Sequence, residues 1–315
     1  GEAFNVPMHS AKTIFDSLDA VGIKYNPIVK EVYKVVNPTG ITGGSGAGLG
    51  GSSGFEAGPY MKKLNEAKPG AIEFAGGYYE RREDGVLRLA EHTFGAYNDA
   101  AIVVISRSGA EGGDNATHSQ DYDDGTEGWV NDRSVHYLEL QEYEKQLIAL
   151  AKSYFSKIIV VLNSPAAMEL GDLQDDNDID AILWIGQPGY NGIMALGEIL
   201  TGKVNPSGRL VDFYMRDFTK DPTFLNFGNN AQANGVVNGN YSTTVGTTNN
   251  ATQRMFNANG TISNYNVLDY AEGIYMGYRY YETVYAELAD KVGQEAADEW
   301  YAQAVVYPFG HGLSY

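Results

Sequence analysis

The stretch "AIVVISRSGAEGGDN", residues 101–115, decides the fold. Its first half, Ala101 to Ser106, is a run of apolar, mostly β-branched side chains flanked by turn formers. That composition suits a strand buried on both faces. Its second half is glycine-rich and carries one carboxylate, Glu111. In open α/β sheets, ligands sit beyond the carboxyl ends of the strands. Glu111 stands there if 101–106 is a strand, and the neighbouring glycines let a ligand come close to the backbone.

Working outward, "LELQEYEKQLIALAKSYF" places Leu140, Tyr143, Leu147, Leu150 and Tyr154 three or four residues apart. This predicts a helix with one apolar face. "KIIVVLNS" and "AILWIG" read as two further strands, and "NGIMALGEILTGKVNPSG" as a helix stopped by Gly202 and Pro206. "GRLVDFY" closes the regular part of the pattern. Upstream, residues 11–20 and 27–36 have helical spacing, and "AIEFAG" resembles a strand. Strands alternating with helices predict an α/β fold, a three-layer α/β/α sandwich with a mostly parallel sheet and long loop excursions. The expected organisation is one domain over residues 1–315. An Asn-, Gly- and Thr-rich excursion from about 225 to 267 interrupts it, and regular structure is not expected there.

Composition excludes several classes. The 315 residues carry 22 basic and 40 acidic side chains, a formal net charge of −18, which disfavours nucleic acid as a partner. No apolar run approaches the roughly 20 residues of a membrane-spanning helix, so no membrane partner is expected. There is no cysteine, hence no disulfide, thiolate metal site or cysteine nucleophile. The five histidines show no metal-ligand spacing, so neither metal nor cofactor is expected. No basic-then-apolar leader opens the chain, and "GEAFNVPMHS" reads like a chain entered partway through. The sequence leaves the compartment open, with the cytoplasm favoured over secretion.

Two catalogue patterns occur in the stretch 40–58, where nine of nineteen residues are glycine. Gly46, Gly48 and Gly51 spell a dinucleotide fingerprint, but neither a strand precedes nor a helix follows. Gly50, Ser52 and Gly54 spell a hydrolase elbow, again without its context. Such matches arise by chance in glycine- and serine-rich sequence. The same holds for the Asn-x-Ser/Thr triplets at Asn240, Asn250 and Asn259.

Several segments in order, "AIVVISRSGAEGGDN", "NDRSVHYLELQEYEKQLI", "KIIVVLNS", "AILWIGQPGYNGIMALGEILTGKVNPSGRL", "YAEGIYMGYRYYE" and "YPFGHGLSY", resemble the α/β sandwich domain of glycoside hydrolase family 3. The resemblance runs from about Ala100 to Tyr315 and more loosely back to residue 1. Val211 stands where most members have proline after Gly-Arg-Leu, which resembles the subgroup whose sandwich precedes its barrel.

The resemblance implies one domain of a retaining, exo-acting β-glycosidase, a β-glucosidase first, acting on a β-linked oligosaccharide or glycoside. An aspartate on the family's barrel attacks the sugar, and a glutamate protonates the leaving oxygen. Retention needs the two carboxyl groups about 5–5.5 Å apart. The acid must also keep its proton near neutral pH, which partial burial or a like charge arranges. "AEGGD" puts Glu111 at the acid/base position, with Ala110 replacing the usual glycine and Glu127 in reserve. Asp114 and Trp129 are expected to bind substrate. The nucleophile's Ser-Asp-Trp setting does not occur in these residues, so a barrel domain, elsewhere in the polypeptide or on another chain, is the expected partner. The alternatives are a non-catalytic carbohydrate-binding or scaffolding module of the same fold, and a nucleotide-binding domain.

Overall fold

Successive side chains of a strand point to opposite faces, so a strand that is apolar throughout must be covered twice. The computed structural model of the chain shows this at residues 101–106. It describes residues 12–27, 29–30, 79–81, 87–107, 122–123, 129–130, 135–226, 252–256, 262–266 and 272–314. The strands are β1 (Tyr79–Arg81), β2 (Leu87–Leu89), β3 (Ala101–Ser106), β4 (Tyr122–Asp123), β5 (Trp129–Val130), β6 (Ile158–Asn163), β7 (Ala181–Trp184), β8 (Tyr214–Met215), β9 (Thr252–Phe256), β10 (Ile262–Asn266) and β11 (Val305–Tyr307). The α-helices are α1 (Ile14–Ala20), α2 (Glu142–Tyr154), α3 (Gly171–Gln174), α4 (Met194–Leu200), α5 (Pro222–Asn226), α6 (Tyr278–Lys291) and α7 (Gln294–Ala304).

Strands β3, β6 and β7 form a parallel sheet in that order, with Ala101 opposite Ile158 and Ile159 opposite Ala181. One face carries Val103, Ile105, Ile158, Val160 and Leu162, covered by Ile148 and Ala151 of α2, by Met168 and Leu170, and by Phe213, Tyr281 and Val305. The opposite face carries Val161 and Leu183, covered by Ile193, Leu196 and Ile199 of the α4 region and by Ile14 of α1. The result is three layers, helix on sheet on helix. Helix α1 opens with a capping box in which Thr13 and Asp16 satisfy each other's backbone N–H groups. It crosses α4 at Gly197, whose N–H donates to the buried Ser17 hydroxyl at 2.7 Å. A Cβ at Gly197 would lie 2.3 Å from the Ser17 carbonyl oxygen, so only glycine fits this crossing. Helix α4 ends where expected, before Gly202 with φ 71°.

Three details depart from the sequence reading. The apolar stripe of α2 turns inward one position further round: Glu144, Ile148 and Ala151 are buried, whereas Tyr154 is 44% exposed. The cause is a buried carboxylate at 144, whose partner is described below. "GRLVDFY" is not a strand before Tyr214. Its backbone takes partners from the C-terminal loop instead, with Leu210 N–H donating to His311 O and Gly310 N–H to Leu210 O. The strand is β8, antiparallel to β11 and outside the parallel sheet. The 225–267 excursion contains an antiparallel hairpin, β9 with β10, five residue pairs long. The segments "TQRMF" and "ISNYN" flank "NANGT", a five-residue connection with an Asn-Gly pair. The expected strand "AIEFAG" and the glycine-rich stretch 40–58 lie outside the described residues.

Candidate functional site

The parallel register brings three strand ends to one edge. Ser106 lies opposite Asn163, and Leu162 opposite Trp184, so the segments leaving β3, β6 and β7 start side by side. The segment leaving β3 runs over residues 108–134. Within it β4 and β5 pair antiparallel, Tyr122 opposite Val130 and Asp123 opposite Trp129. Glu111, Asp114 and Glu127 lie outside the described residues, and of Trp129 only the backbone is described, as the first residue of β5. What the structure describes is the base from which these residues are carried.

That base is built on Arg107. It is 5% exposed, and Glu144 beside it is 4% exposed. The guanidinium meets the carboxylate as a fork: Nη1 donates to Oε1 at 2.5 Å and Nη2 to Oε2 at 2.7 Å. Its remaining donors reach backbone, Nε to Tyr137 O at 2.7 Å, Nη1 to Ser106 O at 2.9 Å and Nη2 to Glu139 O at 2.8 Å. The Tyr137 ring lies under the guanidinium, 5.3 Å from its carbon. Glu144 also accepts the Gln141 N–H at 2.9 Å, so one carboxylate joins the start of α2 to the end of β3. His136 is held next to this pair. Its N–H donates to Glu139 at 2.7 Å, Nδ1 accepts the Leu138 N–H at 3.1 Å, and the ring packs on Phe218 and Phe224.

The segment leaving β6 carries a carboxylate that sequence reasoning missed. Glu169 stands six residues beyond β6 and donates its N–H to Leu138 O, which ties it to the same region. Burial pushes its carboxyl up to about 7, against the Phe218 N–H that it accepts at 2.6 Å; Glu139, Asp217 and Asp172 push the same way as burial. Its proton affinity is therefore shifted towards neutral pH, the direction a general acid needs. It lines a polar cleft of about 240 Å³ with Glu139, Lys145, Asp172 and Arg216. Arg216 is engaged there by Asp175 at 2.7 Å. Nothing in "NSPAAMEL" marks Glu169, except that it too follows the carboxyl end of a buried strand.

Trp184, at the end of β7, was also not singled out. Its Nε1 donates to Ser164 O at 2.8 Å, and its ring stays 38% exposed beside Gly186, whose φ of 56° brings the backbone against it. An indole fixed in this way offers an apolar ring face at the strand edge. A larger groove of about 450 Å³ runs along α6 from Ile274 to Asp290, but it is lined by that helix and the turn before it alone, and is an open surface. Among the described residues no three His, Cys, Asp or Glu side chains gather as a metal site. Among them, too, no helix is long and apolar enough to cross a membrane.

This buried parallel sheet, with its loops at one edge, has counterparts among known proteins. The family model of the glycosyl hydrolase family 3 C-terminal domain matches residues 32–278, and the chain belongs to that family. Its relatives include beta-glucosidase A of Butyrivibrio fibrisolvens, 29% identical over 228 residues, covering 70% of this chain and 21% of the relative. The beta-glucosidase of Ruminococcus albus is 26% identical over 233 residues, covering 74% and 17%. Beta-glucosidase 3B from Thermotoga neapolitana, solved with alpha-D-glucose, superposes with a TM-score of 0.53 at 22% identity, over 97% of this chain and 30% of that one. That likeness shows the fold. The chain spans about a fifth of the length of these curated relatives.

Proposed function

We propose that the chain is a single sandwich domain, residues 1–315, that supplies the general acid/base of a retaining exo-acting β-glycosidase, a β-glucosidase. A barrel domain carries the nucleophile and completes the site. The observation that carries this reading is the family match over residues 32–278, which includes the whole 108–134 segment, together with relatives named beta-glucosidases. The buried strand β3 and its anchored end support it, because they give that segment a rigid start at the edge where ligands bind.

In the first step Glu111 gives its proton to the glycosidic oxygen as the C–O bond breaks, and an aspartate of the barrel takes the anomeric carbon. In the second, Glu111, now a carboxylate, draws a proton from water as the water displaces the aspartate. Asp114 and Trp129 contact the leaving group's side of the pocket, and Glu127 is the reserve acid.

The test pairs the chain with its barrel and compares Glu111→Gln on β-glucosides of differing leaving group. Only poor leaving groups need protonation, so an alkyl β-glucoside should lose about 100-fold or more in kcat/KM and a dinitrophenyl β-glucoside far less. Equal rates for variant and parent on both substrates reject the assignment. The same series on Glu127→Gln then decides whether the reserve carries the role.

A further inference from the structure

We infer that Arg107, with Glu144 as its counter-ion, is a positioning residue for the acid/base: it ties the two ends of the segment that carries Glu111. The inference rests on the reading of Glu111 above. Its structural half stands on described residues alone. Residue 107 is where the chain leaves β3, and residues 137 and 139 are where it has come back. One guanidinium holds all three places, since it hydrogen-bonds Ser106 O behind it and the Tyr137 and Glu139 carbonyls across the gap. The carboxylate of Glu144 then fixes the guanidinium from the first turn of α2.

Three arguments favour geometry over stability as the reason for this pair. A buried ion pair rarely gains stability over well-packed apolar residues, because both charges lose their hydration. Both partners here are almost fully buried. Arginine's planar fork fixes orientation in a way that a lysine ammonium does not. Finally, Glu111 stands only four residues beyond Arg107, so roughly 14 Å of extended chain is the most that separates them. The direction in which the chain leaves β3 at residue 107 is thus a constraint set close in sequence to that carboxyl group. General acid catalysis tolerates little misplacement, since a displacement of about 1 Å costs on the order of 100-fold.

The experiment uses the chain assembled with its barrel and reads kcat/KM, which reports the step that needs the acid. Arg107→Lys keeps the charge and loses the fork. It should cost about 30- to 100-fold on an alkyl β-glucoside and under about 3-fold on a dinitrophenyl β-glucoside. In a Glu111→Gln background the same substitution should cost under about 3-fold on either substrate, because the group it positions is already gone. Should Arg107→Lys fail to fold, Glu144→Gln, which keeps the shape and frees the guanidinium, should show the same pattern more weakly. Equal losses on both substrates, or full losses on top of Glu111→Gln, overturn the positioning role and leave a structural one. If Glu111→Gln itself does not discriminate between leaving groups, the reading of Glu111 falls first and the inference with it, so the two failures are told apart.

Discussion

Replacing Arg107 by methionine removes one side of a buried ion pair while keeping an unbranched apolar side chain that fills much of the space. The Ser106, Tyr137 and Glu139 carbonyls lose their guanidinium donors together, and Glu144 is left with the Gln141 N–H at 2.9 Å as its backbone partner. Breaking such a pair costs about 3–5 kcal/mol, because the surviving charge remains buried without compensation. Removing both members is a smaller insult. In Arg107→Met/Glu144→Leu no charge is stranded, and the cost reduces to the carbonyls that lost donors, about 1–3 kcal/mol. The second substitution should therefore restore roughly 2 kcal/mol to the first. Urea denaturation of the chain, followed by circular dichroism, measures this as a midpoint that falls in the single variant and partly recovers in the double, at constant slope. A single variant losing under about 1 kcal/mol, or a double variant as unstable as the sum of its parts, would show that the two charges are not coupled as the geometry states.

Three other outcomes follow from the same structure. Gly197→Ala should lower stability by about 1–3 kcal/mol, since its Cβ would sit 2.3 Å from the Ser17 carbonyl oxygen; a thermal melt matching the parent would refute the crossing of α1 on α4. Thr13→Ala should cost about 1 kcal/mol through loss of the capping box at α1, read from the same melts. Glu169 binds its proton more tightly folded, at about 7, than unfolded, near 4.5, so its contribution is present below 4.5 and lost as pH rises towards 7. The side chain is partly open to solvent, so the screened effect is about 1–2 kcal/mol, and Glu169→Gln should gain that much relative to the parent between pH 5 and pH 8. A stability difference independent of pH would place the proton elsewhere.

The buried strand, the helix after it and the carboxyl-edge position of the candidate loop were legible in residues 101–155. Apolar periodicity is local, and both periods are well sampled over these lengths. The mis-set face of α2 shows where that signal stops. Counting apolar residues could not see that Glu144 would turn inward, because its reason lies 37 residues away in Arg107. Likewise "GRLVDFY" has strand composition, but its hydrogen bonds go to the segment around His311, about a hundred residues on. The β9–β10 hairpin was hidden by the polar sequence around it. Glu169 carried no signal at all, since its raised proton affinity comes from burial against Phe218 and from nearby carboxylates brought in by other segments.

The sequence by itself determined an α/β sandwich, because a continuous run of β-branched residues followed by an amphipathic helix has few other ways to bury itself, and its motifs, "GKVNPSGRL" and "YPFGHGLSY" among them, carried the resemblance to the family. Only the tertiary structure decided that Arg107 and Glu144 meet beneath the sheet edge, that Gly197 lets two helices touch, and that burial raises the proton affinity of Glu169. Each of these depends on desolvation or close contact between residues far apart in the chain, and such terms exist only once the fold has brought them together.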